Sequence, residues 1–145
     1  MTILIKLKRM KKDIEIPKFE GVYVAIIQEW NAEYEWNDWV AYLVNDTDNL
    51  IENVIVVSKG YGQIDGEDRK TATMRHGMKE VDARSYAKVE LLYGEALEMS
   101  NEFWITFFEG NKLYDKKFVF KKNMINNKAL RDIPHVGKKG VIVNF

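Results

Sequence analysis

The residues of this chain best suited to chemistry lie between positions 60 and 76. Gly60, Tyr61 and Gly62 form a glycine-rich stretch in which backbone N–H groups could approach an anion closely. A phosphate-binding loop must open a helix or carry Gly-Lys-Ser or Gly-Lys-Thr, and here residues 63–68 lead into a strand-like block. The pattern therefore favours a long hairpin loop. The region also supplies a candidate binding site, whose members are Gly60, Tyr61, Gly62, Arg69, Arg75 and His76.

The enzymatic hypothesis for this region depends on His76. Its imidazole could act as a general base if a carboxylate such as Glu80 or Asp82 oriented it. A serine nucleophile is not indicated, because the Gly-x-Ser-x-Gly elbow that exposes such a serine is missing around each serine of the chain, namely Ser58, Ser85 and Ser100. We assign no catalytic residue from the sequence.

Metal ligands are not clustered along the chain. The two histidines, His76 and His135, lie far apart, and there is no cysteine. Oxygen donors gather in residues 46–49 and 65–68, but the spacing of a calcium loop breaks at Leu50 and lacks its glycine. We therefore predict ordinary polar loops, without a metal ion and without a cofactor.

Cations and aromatic rings alternate near the end of the chain, where they could contact phosphates and stack on bases. The residues are Lys116, Lys117, Phe118, Phe120, Lys121 and Lys122. Strand alternation explains the same pattern, because Phe118 and Phe120 would both point inward. We do not expect nucleic-acid binding, and an RNA-associated protein using this hairpin is kept as an alternative.

Four tryptophans offer a further candidate surface. Trp39 and Trp104 fall within strand-like blocks, and we expect both in the core. Trp30 and Trp36 flank a polar turn and could form an exposed apolar patch or a dimer contact, with burial in the core or in a hydrophobic staple as the favoured alternative. These two indoles are therefore added to the candidate binding residues.

Composition bounds the kind of protein. A chain of 145 residues with 46% hydrophobic and 30% charged residues fits one soluble domain, and its longest apolar run, residues 22–27, is too short to span a membrane. Twenty-two basic and twenty-two acidic residues leave a formal net charge of zero, so no long-range field would recruit nucleic acid. The absence of cysteine excludes disulfides, and residues 3–12 do not follow the order of a secretory signal. We expect a cytoplasmic protein.

The elements that must position these residues are strands. Seven short blocks rich in β-branched and aromatic residues alternate with turn-forming residues. They are 22–29, 39–45, 53–59, 70–76, 87–92, 103–109 and 113–120. The first two are apolar on both faces, which is typical of strands covered on both sides. Residues 87–92 are one-sided, with Val89 and Leu91 predicted inward and Lys88 and Glu90 outward.

These blocks predict an all-β protein, an immunoglobulin-like antiparallel β-sandwich of about seven to nine strands, with a small antiparallel β-barrel as the alternative. The block at Trp39 would be strand B, the block at Asn53 strand C, and the last two blocks strands F and G. Segments between the blocks are too short for parallel crossovers. Residues 1–145 form one predicted domain, and residues 1–17, rich in lysine, are predicted to be an edge strand or N-terminal arm.

Several stretches resemble a family of short uncharacterised bacterial proteins. They are Ile16-Pro17 with Glu20-Gly21-Val22-Tyr23, Ser58-Lys59-Gly60-Tyr61-Gly62, Lys70-Thr71 with Arg75-His76, and Asn101-Glu102-Phe103-Trp104. Some members of that family are labelled phenylalanyl-tRNA synthetase alpha subunit. The motifs of such a synthetase, paired arginines and a glycine-rich strand that hold ATP, are not found in this sequence. The resemblance therefore implies a bacterial origin without implying an activity.

From the residues we predict a non-enzymatic binding or protein-interaction module. A protein partner or self-association would use the surface near Trp30 and Trp36 or an uncovered strand edge. The alternative is a small hydrolase-like enzyme that uses the region of Gly60, Arg75 and His76. Neither function involves a membrane.

Overall fold

The computed structural model describes residues 21–143. These residues form ten strands and two short 3-10 helices, Gly94–Glu98 and Asn127–Ala129. The strands are β1 (Val22–Asn31), β2 (Trp36–Asn45), β3 (Ile51–Ile64), β4 (Glu67–Lys70), β5 (Met74–Val81), β6 (Ser85–Leu92), β7 (Ser100–Glu109), β8 (Lys112–Phe120), β9 (Arg131–Asp132) and β10 (Lys139–Val141). Within the described chain, neither helix has the length and apolar character needed to cross a membrane.

The strands pair into two antiparallel sheets. The first sheet has the order β9-β10-β1-β2-β6, and the second has the order β4-β3-β7-β8, with β5 paired to the same side of β3 as β4. Strand β2 is flanked by β1 and β6, and β7 is flanked by β3 and β8. This is the immunoglobulin-like order, in which β2 and β3 are strands B and C and β7 and β8 are F and G. The predicted sandwich is confirmed, and the described strands do not close into a barrel.

The hydrophobic core lies between the two sheets and follows strand alternation. Val24 and Ile26 of β1 and Leu43 of β2 are fully buried in the first sheet. Strand β7 contributes Phe103, Ile105 and Phe107 from the second sheet, all with at most 1% exposure. Because alternate residues of a strand point to opposite faces, Trp104 is directed outward. The expectation that Trp104 belongs to the core is wrong: its side chain is 46% exposed, with the Lys117 ammonium 5.7 Å from the ring centroid. Trp39 is half-buried against the core, as expected.

A β-bulge in β6 changes which of its residues face the core. Ala41 of β2 lies opposite Glu90, but the next residue, Tyr42, lies opposite Lys88, so Val89 is an additional residue in β6. Such a bulge reverses the alternation that follows it. Val89 and Leu92 are buried, Leu91 is exposed, and Glu90 is partly buried. The predictions that Leu91 points inward and Glu90 outward are therefore wrong.

The predicted strand over residues 70–76 is two strands. β4 and β5 are separated at residues 71–73, where the Thr71 N–H donates to the carbonyl of Gly60 and the Thr71 hydroxyl accepts from the Gly60 N–H. The long hairpin loop predicted from Gly60, Tyr61 and Gly62 is also wrong, because residues 60–64 continue β3. That strand turns at Asp65 and Gly66, both with positive φ, the geometry of a type I′ hairpin turn.

Residues 121–143 extend the edge of the first sheet through β9 and β10, and Ile133 packs near Ile27 on the outer face of β1. Ile133 and Val136 are buried there, and a Cβ added to Gly140 would lie 2.7 Å from the Ile27 side chain and 3.2 Å from that of Ile133. Coverage on both faces explains why β1 and β2 are apolar on both sides, as the sequence predicts. The predicted N-terminal edge strand or arm, residues 1–17, lies outside the described residues.

Candidate functional site

The hairpin between β1 and β2 ends in an ordered aromatic loop. The Asn31 side chain accepts hydrogen bonds from the backbone N–H groups of Glu33 and Tyr34, and the Glu35 N–H donates to the Asn31 carbonyl at 2.8 Å. Tyr34 stacks on Trp36 with ring centroids 5.1 Å apart. This network fixes the loop, so the exposed rings lose little conformational freedom on binding.

Asp38 holds the loop from the strand side. One of its carboxylate oxygens accepts from the Asn31 amide at 3.0 Å, and the other accepts from the indole N–H of Trp36 at 2.9 Å. Trp36 is nevertheless 55% exposed, and Trp30 is 62% exposed. The indole of Trp36 is thus anchored by its polar edge while most of its apolar surface faces water.

Trp30 and Trp36 occupy opposite faces of the hairpin. Trp30 pairs with Asn37, and Trp36 pairs with Asn31, so the register places the two indoles on different sides of the ribbon. The face of Trp36 borders a groove of about 520 Å³ whose far wall is Tyr93 and Leu97. We call Tyr34, Trp36, Tyr93 and Leu97 the tip patch, and Trp30 lies on the other face of the hairpin.

The tip patch is acidic. Residues 28–38 contain four carboxylates and no lysine or arginine, and residues 93–98 contain two carboxylates and no basic residue. Glu29 and Glu95 form ion pairs with basic residues elsewhere. The other four carboxylates form no ion pair within residues 21–143; they are Glu33, Glu35, Asp38 and Glu98. A cation close to these rings would therefore meet both carboxylates and aromatic faces.

Next to the tip patch, a cleft of about 320 Å³ opens between the two sheets. Its floor is formed by β3 and β7, its rim by the link between β4 and β5, and its opposite wall by the end of β6 and the first 3-10 helix. Most of the lining is apolar, including Leu92, Ala96 and Phe103. Tyr93 borders both this cleft and the groove of the tip patch.

One carboxylate oxygen in the cleft binds two side chains. The Ser58 hydroxyl donates to Oε1 of Glu90 at 2.6 Å, and Nε2 of His76 lies 2.7 Å from the same oxygen. With a neutral imidazole, this contact requires the tautomer that carries its proton on Nε2. Glu90 reaches the cleft because of the bulge at Val89, and its side chain is 20% exposed.

This arrangement differs from that of a serine hydrolase. In a catalytic triad the histidine lies between the serine and the carboxylate and removes the serine proton. Here the carboxylate of Glu90 lies between Ser58 and His76, so the imidazole does not contact the hydroxyl. The geometry holds a negative charge in place and does not activate a nucleophile.

Asn101 adds a second polar group to the cleft. Its side-chain N–H₂ donates to the carbonyls of Ala96 and Met99, which fixes the amide orientation. Its Oδ1 lies 3.2 Å from the position that a Cβ on Gly60 would take, and both residues line the cleft. Asn101 is 3% exposed, and no donor among the described residues reaches this oxygen.

The structure brings only part of the predicted binding region together. Gly60 lines the cleft and His76 lies at its edge, whereas a Cβ added to Gly62 would lie 3.6 Å from Met99. Arg75 neighbours His76 along β5 and so points to the opposite face of the sheet. His76 contacts Glu90, whereas the enzymatic hypothesis required a carboxylate such as Glu80 or Asp82 to orient it.

The remaining predicted residues have other partners. The Tyr61 hydroxyl donates to Glu102 at 3.3 Å on the outer face of the second sheet, and the Glu102 charge, after burial, raises the pKa of Tyr61. Arg69 forms an ion pair with Glu95 at 2.8 Å, which ties β4 to the first 3-10 helix. Neither side chain contacts His76.

The basic and aromatic segment, residues 116–122, does not expose its two phenylalanine rings. Phe118 and Phe120 are buried, as strand alternation predicts, and the Lys116 ammonium lies 5.3 Å from the Phe118 ring centroid. No base could stack on these two rings in this fold. Across residues 21–143, no three His, Asp or Glu side chains are grouped to hold a metal ion.

Sequence reasoning missed four residues of the site, namely Ser58, Glu90, Asn101 and Tyr93. A usable pattern existed for Ser58 alone, because it is a polar residue two positions after the core residue Val56 on an alternating strand. Glu90 reaches the cleft only through the bulge, which no residue type in the sequence marks. Comparisons with family models, with curated proteins and with solved structures find no match to this chain.

Proposed function

We propose that this chain is a non-enzymatic binding module whose tip patch takes a basic segment of a partner protein. The observation that carries the proposal is the group of exposed rings at the β1–β2 hairpin, fixed by Asn31 and Asp38 and surrounded by carboxylates. Exposed apolar side chains grouped together and rimmed by polar residues commonly mark interaction surfaces. Tryptophan and tyrosine dominate the binding energy of such surfaces.

Charge selects the kind of partner. A lysine or arginine placed over an indole gains about 0.5–1 kcal/mol at an exposed site and more where water is excluded. Glu33 and Glu35 add long-range attraction, which speeds association with a positive surface. Two copies of the tip patch would instead bring like charges together, so a basic partner is favoured over a symmetric dimer.

The proposal is tested with capped hexapeptides of arginine and of glutamate, using intrinsic tryptophan fluorescence and calorimetry. We expect the arginine peptide to bind and the glutamate peptide not to bind. Trp36→Ala should weaken binding of the arginine peptide about 3- to 30-fold, because the substitution removes an indole that makes a cation–π interaction and an apolar contact. Trp104→Ala is the matched control, since Trp104 is a comparably exposed indole on the other sheet.

Equal affinity of Trp36→Ala and the unmodified protein would contradict the proposal, as would binding of the glutamate peptide. Light scattering over a concentration series provides a second measurement. A dimer that dissociates in Trp36→Ala would assign the tip patch to a second copy of this chain and would overturn the choice of a basic partner.

A further inference from the structure

The cleft beside the tip patch offers hydrogen-bond acceptors without matching donors. Glu90 uses Oε1 for Ser58 and His76, and its Oε2 has no donor among the described residues. The second acceptor is Oδ1 of Asn101, a residue that is 3% exposed, and this oxygen also lacks a described donor. A buried acceptor without a partner costs free energy, so Oδ1 of Asn101 favours a ligand that donates hydrogen bonds. Oε2 of Glu90, on a side chain that is 20% exposed, would attract such a ligand by its negative charge.

The walls of the cleft are suited to a hydrocarbon group. Leu92 and Phe103 are buried along the interior, and Met74 and Tyr93 border the opening with exposed apolar surface. Lys59 is the basic residue of the lining, and it pairs with Glu102 on the outer face of the second sheet at 3.9 Å. A volume of about 320 Å³ lies at the lower end of the range for ligand pockets.

We propose that the cleft binds an ammonium or guanidinium group carried on an apolar stem. The positive group would donate to Oε2 of Glu90 and to Oδ1 of Asn101, and the stem would pack on Leu92 and Phe103. Ser58 and His76 act as positioning residues, because they fix the carboxylate through its other oxygen. Such charge-assisted hydrogen bonds are about twice as strong as neutral ones.

Two sources could supply this group: a free organic amine, or a lysine or arginine side chain of a protein. Only the second source rests on the proposed function, in which a basic segment on the tip patch would extend past Tyr93 into the cleft. The chemistry of the cleft itself does not depend on that proposal.

Nuclear magnetic resonance titrations test the cleft with phenethylamine, 2-phenylethanol and 3-phenylpropionate, which share a ring and differ in the polar group. We expect phenethylamine to shift the backbone amides of Gly60, Thr71 and Tyr93 with a Kd on the order of 1 mM, as for a ligand of about ten non-hydrogen atoms. The alcohol should bind at least tenfold more weakly, because it cannot form the charged contact. The carboxylate should not bind.

Two variants assign the contact. Glu90→Gln keeps an acceptor for Ser58 but removes the negative charge, and we expect it to weaken phenethylamine binding about tenfold or more. The control is Glu80→Gln, which removes an exposed carboxylate of β5. Ala72→Leu changes an exposed residue at the rim, so it should leave the fold intact while obstructing the cleft. It should also weaken binding, even if Glu90→Gln does not fold.

Equal binding of amine and alcohol would overturn the proposal. So would unchanged binding in Ala72→Leu or in folded Glu90→Gln, or shifts confined to residues outside the cleft. Capped lysine and arginine amides, with blocked termini, then separate the two sources: their binding indicates a protein side chain, and binding of phenethylamine alone indicates a free amine. Trp36→Ala should leave phenethylamine binding unchanged, so failure of the tip patch and failure of the cleft are distinguishable.

Discussion

At the scale of single residues, Glu29 joins three parts of the molecule. Its carboxylate accepts from the Tyr42 hydroxyl and from Lys138 at 2.9 Å, and it lies 3.6 Å from the Lys88 ammonium. Burial by itself would raise the pKa of Glu29, but these hydrogen bonds and charges outweigh burial and hold the pKa below its usual value. Burial, followed by the bond to Glu29, raises the pKa of Tyr42.

This depressed pKa predicts a pH dependence of stability. Around the usual pKa of a glutamate the folded protein binds fewer protons than the unfolded chain, so the contribution of Glu29 is present above that usual pKa and is lost as the pH falls through the lower pKa of the folded state. We expect Glu29→Gln to lower the free energy of unfolding by about 1–2 kcal/mol near neutral pH and by much less in acid. Urea unfolding at a series of pH values measures this difference.

Glu33→Gln provides the control, since Glu33 is exposed and has no ion pair within the described residues. Its effect should stay within about 0.5 kcal/mol at every pH. A cost of Glu29→Gln that persists unchanged in acid would show that the charge of Glu29 does not contribute.

The candidate site was only partly predictable at this scale. The position of Trp30 and Trp36 beside a polar turn made both of them candidate binding residues, but the sequence favoured burial in the core or in a hydrophobic staple, and both are exposed. The pairing of His76 with Glu90 could not be predicted, because their alignment depends on how two strands in different sheets meet at the sandwich edge. Asn101 has the same limitation, since its burial comes from the 3-10 helix that folds over it.

At the scale of elements, β3 organises the second sheet. One side of this 14-residue strand pairs with β7, and the other side pairs first with β5 and then with β4. The change of partner occurs at Gly60, where the chain between β4 and β5 approaches closely. A Cβ at this position would lie 3.1 Å from the Thr71 methyl group and 3.2 Å from Asn101 Oδ1.

Gly60→Ala should therefore destabilise the protein by about 1–3 kcal/mol, the cost of overpacking, and should reduce phenethylamine binding by displacing Thr71 from the rim. Gly77→Ala is the matched control, because Gly77 also lies in a strand and a Cβ there would meet no atom within 4 Å. We expect it to be neutral or slightly stabilising. Thermal unfolding of both variants measures the difference, and equal melting temperatures would contradict the close approach at Gly60.

Local patterns in the sequence predict most of the strands, but the residues at which the strands begin and end depend on tertiary contacts. Alternation located β7 and β8 to within a few residues, and the Glu109-Gly110-Asn111 turn joins them as expected from its residues. Strand β10 is three residues long and pairs with β1 from the far end of the chain, so no local pattern marks it. The break at Thr71 was hidden because its cause is a hydrogen bond to Gly60.

At the scale of the whole molecule, residues 121–143 stabilise the first sheet through contacts with its strands. Polar contacts attach the segment at three points: the Gln28 amide to Asn127 at 2.8 Å, His135 to Asp46 at 2.6 Å, and Lys138 to Glu29. Ile133 and Val136 supply its buried apolar contacts. The segment therefore shields part of an apolar sheet face from solvent in addition to extending the sheet edge.

Ile133→Ala should lower the free energy of unfolding by about 2–4 kcal/mol, because it removes a buried side chain and leaves a cavity over Ile27. Leu113→Ala serves as the comparison, since Leu113 is largely exposed on β8 and its truncation should cost less than about 0.5 kcal/mol. Chemical denaturation measures both values. A similar cost for the two variants would show that residues 121–143 contribute little to the core.

The pairing of Ile27 with Gly140 has a consequence for the order of events during folding. The two residues are more than a hundred positions apart, so the contact requires closure of nearly the whole described chain. Hairpins such as β1–β2 and β7–β8 close short loops and form within microseconds, whereas distant pairings carry a large entropic cost and come late. We therefore expect part of the outer surface of the first sheet to be uncovered in the earliest compact states, when it can associate with other unfolded chains.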